Sequence, residues 1–203
     1  GGGGGDADAD DEEFMLTAGA WDPHSTDCFS TAHSTCVQGF DGRSAKRTYD
    51  IPMAHKYAVR DLDYNPNRPQ FIVTGGDDRL VRFWDLRNTS EPVRSLAGHS
   101  HWVWSVKYNR FHDQLLISGG TDCLVNLWRV SSISSAPLLE LEGDETTDAD
   151  TGDGAIRCFD EHEESVYSVA WSACDAWVFA SLSYDGRVVI NHVPSTEKYK
   201  ILL

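Results

Sequence analysis

Three times in this chain a histidine precedes an aspartate by 23 residues: His55 and Asp78, His99 and Asp122, His162 and Asp185. Four residues before each aspartate stands a hydroxyl, at Thr74, Ser118 and Ser181. Six residues after it stand Trp84, Trp128 and, breaking the pattern, Asn191. The first two copies are offset by 44 residues, from His55 to His99. A repeat of this length marks one supersecondary unit that buries its apolar faces only by stacking on its neighbours. An earlier, degenerate copy reads STAHSTCVQGFD, with Ser34 in the aspartate place and Phe40 in the tryptophan place. The two incomplete copies are expected to be held less tightly, which native-state hydrogen exchange would register as weaker amide protection.

Within each repeat the apolar residues come in short alternating runs, such as FIVTGG, LVRFWD, LLISGG and LVNLW, broken by Gly, Asp and Asn. Period-two alternation in such runs reads as strands, and no sustained 3.6-residue period is found, so the fold class is all-β. Gly75-Gly76 and Gly119-Gly120 are placed at turns, where positive φ or close packing explains them. Trp102 and Trp104, two apart, share one strand face and are expected in the core between repeats.

The spacing resembles the WD-repeat family of β-propellers, whose blades are about 40 to 45 residues long. The resemblance implies four-stranded blades and a buried chain in each, Asp to His to hydroxyl to Trp. The chain holds about four blades, where the family most often closes with seven. It opens on Gly1 without Met, so N-terminal blades are expected to be missing and the fragment to form an open arc. The expected divisions are an acidic, Gly-rich disordered linker at 1–13, a degenerate blade at 14–54, and blades at 55–98, 99–161 and 162–203. The third blade carries an acidic insertion near 142–155, and either LLELE or AIRCF is its outer strand. That insertion either solubilises the rim or captures a basic partner.

Charge and chemistry narrow the function. Lys and Arg number 17 against 32 Asp and Glu, a net charge of −15. The excess sits in residues 6–13 and 140–164, leaving a nearly neutral body without the dense basic surface that nucleic acid requires. No apolar run reaches the roughly 18 to 20 residues of a membrane span, so no membrane insertion is expected. The five cysteines form no Cys-x-x-Cys pair and read as buried free thiols. No phosphate loop and no metal-ligand spacing is found, so no cofactor and no metal are expected. His99, Ser118 and Asp122 have a catalytic triad's composition, but an active site is needed once, not once per repeat. The sets are read as scaffold and the chain as non-enzymatic.

Two partner readings follow from resemblance. VRDLDYNPN, HSHWVWSVKYNRFHDQLL, VSSISSAP, FASLSYDGRVVINHVP and the terminal KYKILL resemble the C-terminal half of one WD-repeat subfamily. Its members associate with the EARP and GARP vesicle-tethering complexes. This implies a cytoplasmic adaptor held peripherally on endosomes and the trans-Golgi network, serving endosomal recycling and retrograde transport. The stretch IVTGGDDRLVRFWDLR resembles instead the motif by which some WD-repeat proteins dock on a cullin ubiquitin-ligase adaptor. There Trp84, Asp85 and Arg87 would form the docking site, with the Arg87 fork projecting toward a carboxylate.

Overall fold

The computed structural model describes residues 15–136 and 152–202. Four antiparallel sheets follow one another along the chain, each a simple meander. The first blade holds β1 (Leu16–Trp21), β2 (Cys28–His33), β3 (Cys36–Asp41) and β4 (Lys46–Ile51). The second holds β5 (Val59–Tyr64), β6 (Phe71–Gly76), β7 (Leu80–Asp85) and β8 (Arg94–Ala97). In the third are β9 (Val103–Tyr108), β10 (Leu115–Gly120), β11 (Val125–Arg129) and β12 (Gly154–Phe159). The fourth has three strands, β13 (Val166–Trp171), β14 (Val178–Ser183) and β15 (Val188–His192), followed by helix α1 (Ser195–Leu202). The inner strands β1, β5, β9 and β13 pack against one another in that order.

Three apolar cores lie between the four blades. Val37 and Ile51 meet Leu62, Ile72 and Trp84 at the first junction. Phe83 and Leu96 meet Val103, Leu116 and Trp128 at the second, and Leu115 and Leu127 meet Val166 and Phe179 at the third. Blades two and three are therefore covered on both faces, which is why β6 and β10 are buried along their whole length. The glycines ending those strands are set by close packing. A Cβ on Gly75 or Gly119 would come within 2.8 Å of Val103 or 2.7 Å of Val166 on the next inner strand. On Gly76 or Gly120 it would meet the His55 ring at 2.6 Å or Asp122 at 2.7 Å. Positive φ falls instead on the residue after each repeat's aspartate: Arg79, Cys123 and Gly186.

The structure corrects several expectations. The outer strand of blade three is β12, and Gly154 and Ala155, assigned to the insertion, open it. LLELE and the linker at 1–13 lie outside the described residues. The side chain of Asp153, counted among the acids of the insertion, is buried, accepting the Ser132 amide at 3.0 Å and facing Arg94 at 3.3 Å. Helix α1 departs from the all-strand reading. Its eight residues, STEKYKIL, are too few and too polar to show a helical period. It is held by buried Glu197, whose carboxylate takes Arg129 of β11 at 2.7 Å. All five cysteines are free thiols, but none is buried, and Cys158 and Cys174 are exposed.

Candidate functional site

In blades two to four the loop entering the inner strand places a histidine against the aspartate of the turn between the second and third strands. In blade two His55 Nδ1 lies 2.7 Å from Asp78 and Nε2 2.8 Å from the Thr74 hydroxyl, which accepts the Trp84 indole N–H at 3.0 Å. Blade three repeats this with His99 3.0 Å from Asp122 and 2.7 Å from Ser118, which accepts Trp128 at 2.7 Å. In blade four His162 lies 3.1 Å from Asp185 and 2.8 Å from Ser181. Asn191 there donates to Glu161 at 3.1 Å instead of to Ser181. One proton arrangement satisfies each full set: Nδ1–H donates to the carboxylate, Nε2 accepts the hydroxyl proton, and the hydroxyl oxygen accepts the indole. In the first blade Ser34 is part of a tight turn with φ of 48°, and Phe40 stacks on Phe29. That blade has a different polar cluster, in which Ser30 Oγ bonds to the hydroxyls of Tyr49 and Tyr64.

The aspartates are built to stay ionised. Burial raises the Asp78 carboxyl, but the His55 hydrogen bond, the Lys56 amide and Arg82 outweigh it and bring the value down to about 2. Burial also opposes ionisation of Asp185, and the Arg187 and Glu163 amides with His162 bring it to about 2. Thr74 and Ser118 are wholly buried and Ser181 is 1% exposed. A nucleophile sealed behind its own histidine and indole cannot meet a substrate. In blades two and three these sets wire the turn to the third strand, and their polar atoms are paired as burial requires.

Between blades two and three, the partners of the inner strands are carboxylates. Asp61 accepts from Ser105 Oγ and the Val106 amide, both at 3.0 Å, and takes Lys107 Nζ at 2.8 Å. Asp63 accepts the Tyr108 amide at 2.9 Å. Burial pushes Asp63 up to about 6, with Lys107 and the Tyr108 amide pulling the other way. The two kinds of carboxylate give opposite pH signs. Asp78 and Asp185, lowered from 3.8 in the unfolded chain, stabilise the fold above about pH 4 and lose that contribution as pH falls toward 2. Asp63, raised from 3.8, costs stability as pH rises from about 4 to 6. The Asp63 contribution should therefore appear as a loss of stability between about pH 4 and 6 that Asp63→Asn removes; a urea-midpoint profile unchanged in that variant contradicts the assignment.

At the other end of the inner strands the register slips by one residue in every blade. The bulged residues are Thr17, Arg60, Trp104 and Tyr167. A bulge breaks alternation and re-aims its side chain. Trp102 and Trp104 consequently leave the core they were expected to fill. They lie over the Arg60 guanidinium, whose carbon is 5.3 and 4.8 Å from the two ring centroids. Asp77 holds the same guanidinium through two hydrogen bonds of 2.7 and 2.6 Å. Trp102 is 39% exposed, with the His101 ring 5.0 Å away. Tyr167 carries the exposed ring of Tyr184 at 4.7 Å. This aromatic mouth has the Trp, Tyr and Arg composition of an interaction hot spot.

In the Trp84-Asp85-Leu86-Arg87 stretch the two ends differ in exposure. Trp84 is 2% exposed and belongs to the Thr74 set. Arg87 is exposed, but its fork is folded back on Asp85, with Nε 2.9 Å from one carboxylate oxygen and Nη2 2.5 Å from the other.

Four consecutive meander sheets, with His, hydroxyl, Asp and Trp wired inside the blades, define a WD-repeat β-propeller. A family model described as the EIPR1 beta-propeller matches residues 5–128, and one for the WD domain, G-beta repeat, matches 153–190. The chain belongs to the EIPR1 β-propeller family. It is 46% identical over 205 residues to EARP and GARP complex-interacting protein 1 of Homo sapiens, covering 94% of this chain and 53% of that protein. EARP-interacting protein 1 of Caenorhabditis elegans is 39% identical over 200 residues, 95% of this chain and 55% of its own length. WD repeat-containing protein DWA2 of Arabidopsis thaliana is 39% identical over 178 residues, 88% and 49% respectively. The chain spans about half the length of the curated relatives it matches.

Proposed function

We propose that this chain is a non-enzymatic adaptor that associates with EARP- and GARP-type vesicle-tethering complexes. It serves endosomal recycling and retrograde transport and is held on endosomes and the trans-Golgi network through those partners. The observation that carries the reading is 46% identity, over 94% of this chain, to a protein named for interaction with those complexes. The geometry agrees with it: the polar sets are sealed inside blades, and the exposed aromatic mouth is suited to binding protein. Among the described residues no helix is long and apolar enough to cross a membrane. Depleting the protein from cells should lower the membrane-bound fraction of tether subunits. An unchanged fraction would reject the role.

The mouth is the docking surface in this reading. Trp102→Ala together with Tyr184→Ala should weaken tether association roughly tenfold or more, since hot-spot truncations cost about 2 kcal/mol or above. Both rings are partly exposed, so the melting temperature should move little. Full retention of the tether by the double variant would place the contact elsewhere.

A further inference from the structure

The aromatic mouth is not uniform in charge. Its blade-two quarter is built around the turn Asp77-Asp78-Arg79, which joins β6 to β7. Four cations converge on that turn. Lys56 gives its backbone amide to Asp78 at 3.1 Å, and Arg82 reaches the same carboxylate at 3.0 Å. Arg60 is held by Asp77 at 2.6 Å, and Arg79 belongs to the turn itself. Four cations against two carboxylates leave two positive charges in excess.

Both carboxylates are already spent, Asp77 on Arg60 and Asp78 on His55, the Lys56 amide and Arg82. Lys56 and Arg79 are exposed, and neither side chain has a carboxylate partner among the described residues. The Lys56 ammonium lies 5.4 Å over the Tyr57 ring. A guanidinium can hold one carboxylate on each of two edges. On Arg60 the edge of Nε and Nη2 belongs to Asp77, whereas Nη1 donates to nothing among the described residues. That side chain is 23% exposed, and the rings of Trp102 and Trp104 fix its plane, so little freedom is lost when a second acceptor arrives. The Trp104 indole N–H, closed to solvent as the rings lie, is also without an acceptor. Tyr57 is 53% exposed and Trp102 offers an open ring beside these donors.

Across the mouth, on blade four, the balance is reversed: Arg187 is paired with Glu163 at 2.8 Å, and Glu164 is exposed with no cation of its own. The acidic excess of the chain sits in residues 6–13 and 140–164, none of which contributes to the blade-two turn.

We propose that the blade-two quarter of the mouth receives an acidic segment of a partner protein. One carboxylate takes the open edge of Arg60, others meet Lys56 and Arg79, and an apolar side chain lies on Trp102. The inference rests on the adaptor reading and names the chemistry of its docking surface. Charge complementarity of this kind selects the partner and sets its approach.

The test titrates the whole chain with a rhodamine-labelled, end-capped nine-residue peptide of glutamates around one central phenylalanine, read by fluorescence polarisation. A lysine counterpart should bind at least tenfold more weakly, and affinity for the glutamate peptide should fall several-fold as salt screens the contact. Lys56→Glu with Arg79→Glu should weaken binding tenfold or more without moving the melting temperature, since both side chains are exposed. Arg187→Glu, on the far side of the mouth, should leave affinity unchanged. Three results would each overturn the proposal: equal affinity for wild type and the Lys56/Arg79 variant, preference for the lysine peptide, or a tenfold preference for a phosphoserine peptide of equal net charge. The titration reads Lys56 and Arg79 with a peptide, whereas tether association reads Trp102 and Tyr184 with the complex, so the failure of one is distinguishable from the failure of the other.

Discussion

Truncating Trp128 to alanine is expected to cost about 3 to 5 kcal/mol of unfolding free energy, the range for removing a large buried aromatic. Its side chain is 1% exposed and belongs to the core joining blades two and three. The substitution opens a cavity there and also removes the indole N–H that Ser118 accepts at 2.7 Å. Proteins of this kind are stable by about 5 to 15 kcal/mol, so the loss takes a large share of the total. Urea denaturation followed by fluorescence and circular dichroism should show the midpoint falling steeply. Trp102→Ala on the surface should leave it nearly unchanged. A Trp128→Ala midpoint close to wild type would mean that the inter-blade core and its hydrogen-bonded set do not hold the fold.

Asp61→Ala is the second substitution with a large expected effect. It leaves the Val106 amide, the Ser105 hydroxyl and Lys107 Nζ without their shared acceptor. Removing one partner of a buried pair costs about 3 to 5 kcal/mol. The side chains here are 16% and 34% exposed, so solvent recovers part of that, and about 2 to 3 kcal/mol is expected. The effect should be local: the Val106 amide loses hydrogen-exchange protection at the second junction, while the third junction keeps its own. Uniform loss across all blades would show that the carboxylate does not act as a seam between two of them.

How much of this could be read in the chain depends on which interactions respect its period. The His–hydroxyl–Asp–Trp spacing is legible because each set closes within one blade, with His55 and Asp78 at the same separation as His99 and Asp122. The Asp61 contacts cross to the next blade, at separations of 44, 45 and 46 residues. They lie about one repeat length away, and comparing Asp61 with the residue one period on would have found Ser105. Trp102 and Trp104 are misread for a physical reason. Alternation assumes an unbroken ladder, yet the register slips at Trp104, and Trp102 stands before β9 begins. The Gly75 and Gly119 positions are visible as glycines, but the side chain that demands each one comes from the following blade. Helix α1 gives little sign of itself, because it is anchored by the Glu197–Arg129 ion pair and by Ile201 on the third core rather than by an apolar stripe.

The central claim is that the repeated polar sets are scaffold and that the chain works by binding tethering complexes through its surface. It is tested most directly by affinity purification of three forms of the chain under native conditions at low temperature. These are the wild type, Ser118→Ala, and the double variant Trp102→Ala with Tyr184→Ala. The account predicts tether subunits in stoichiometric yield with wild type and with folded Ser118→Ala, and their loss with the double variant. Loss with folded Ser118→Ala and retention with the double variant would contradict it, placing the function in the buried hydroxyl rather than on the exposed mouth.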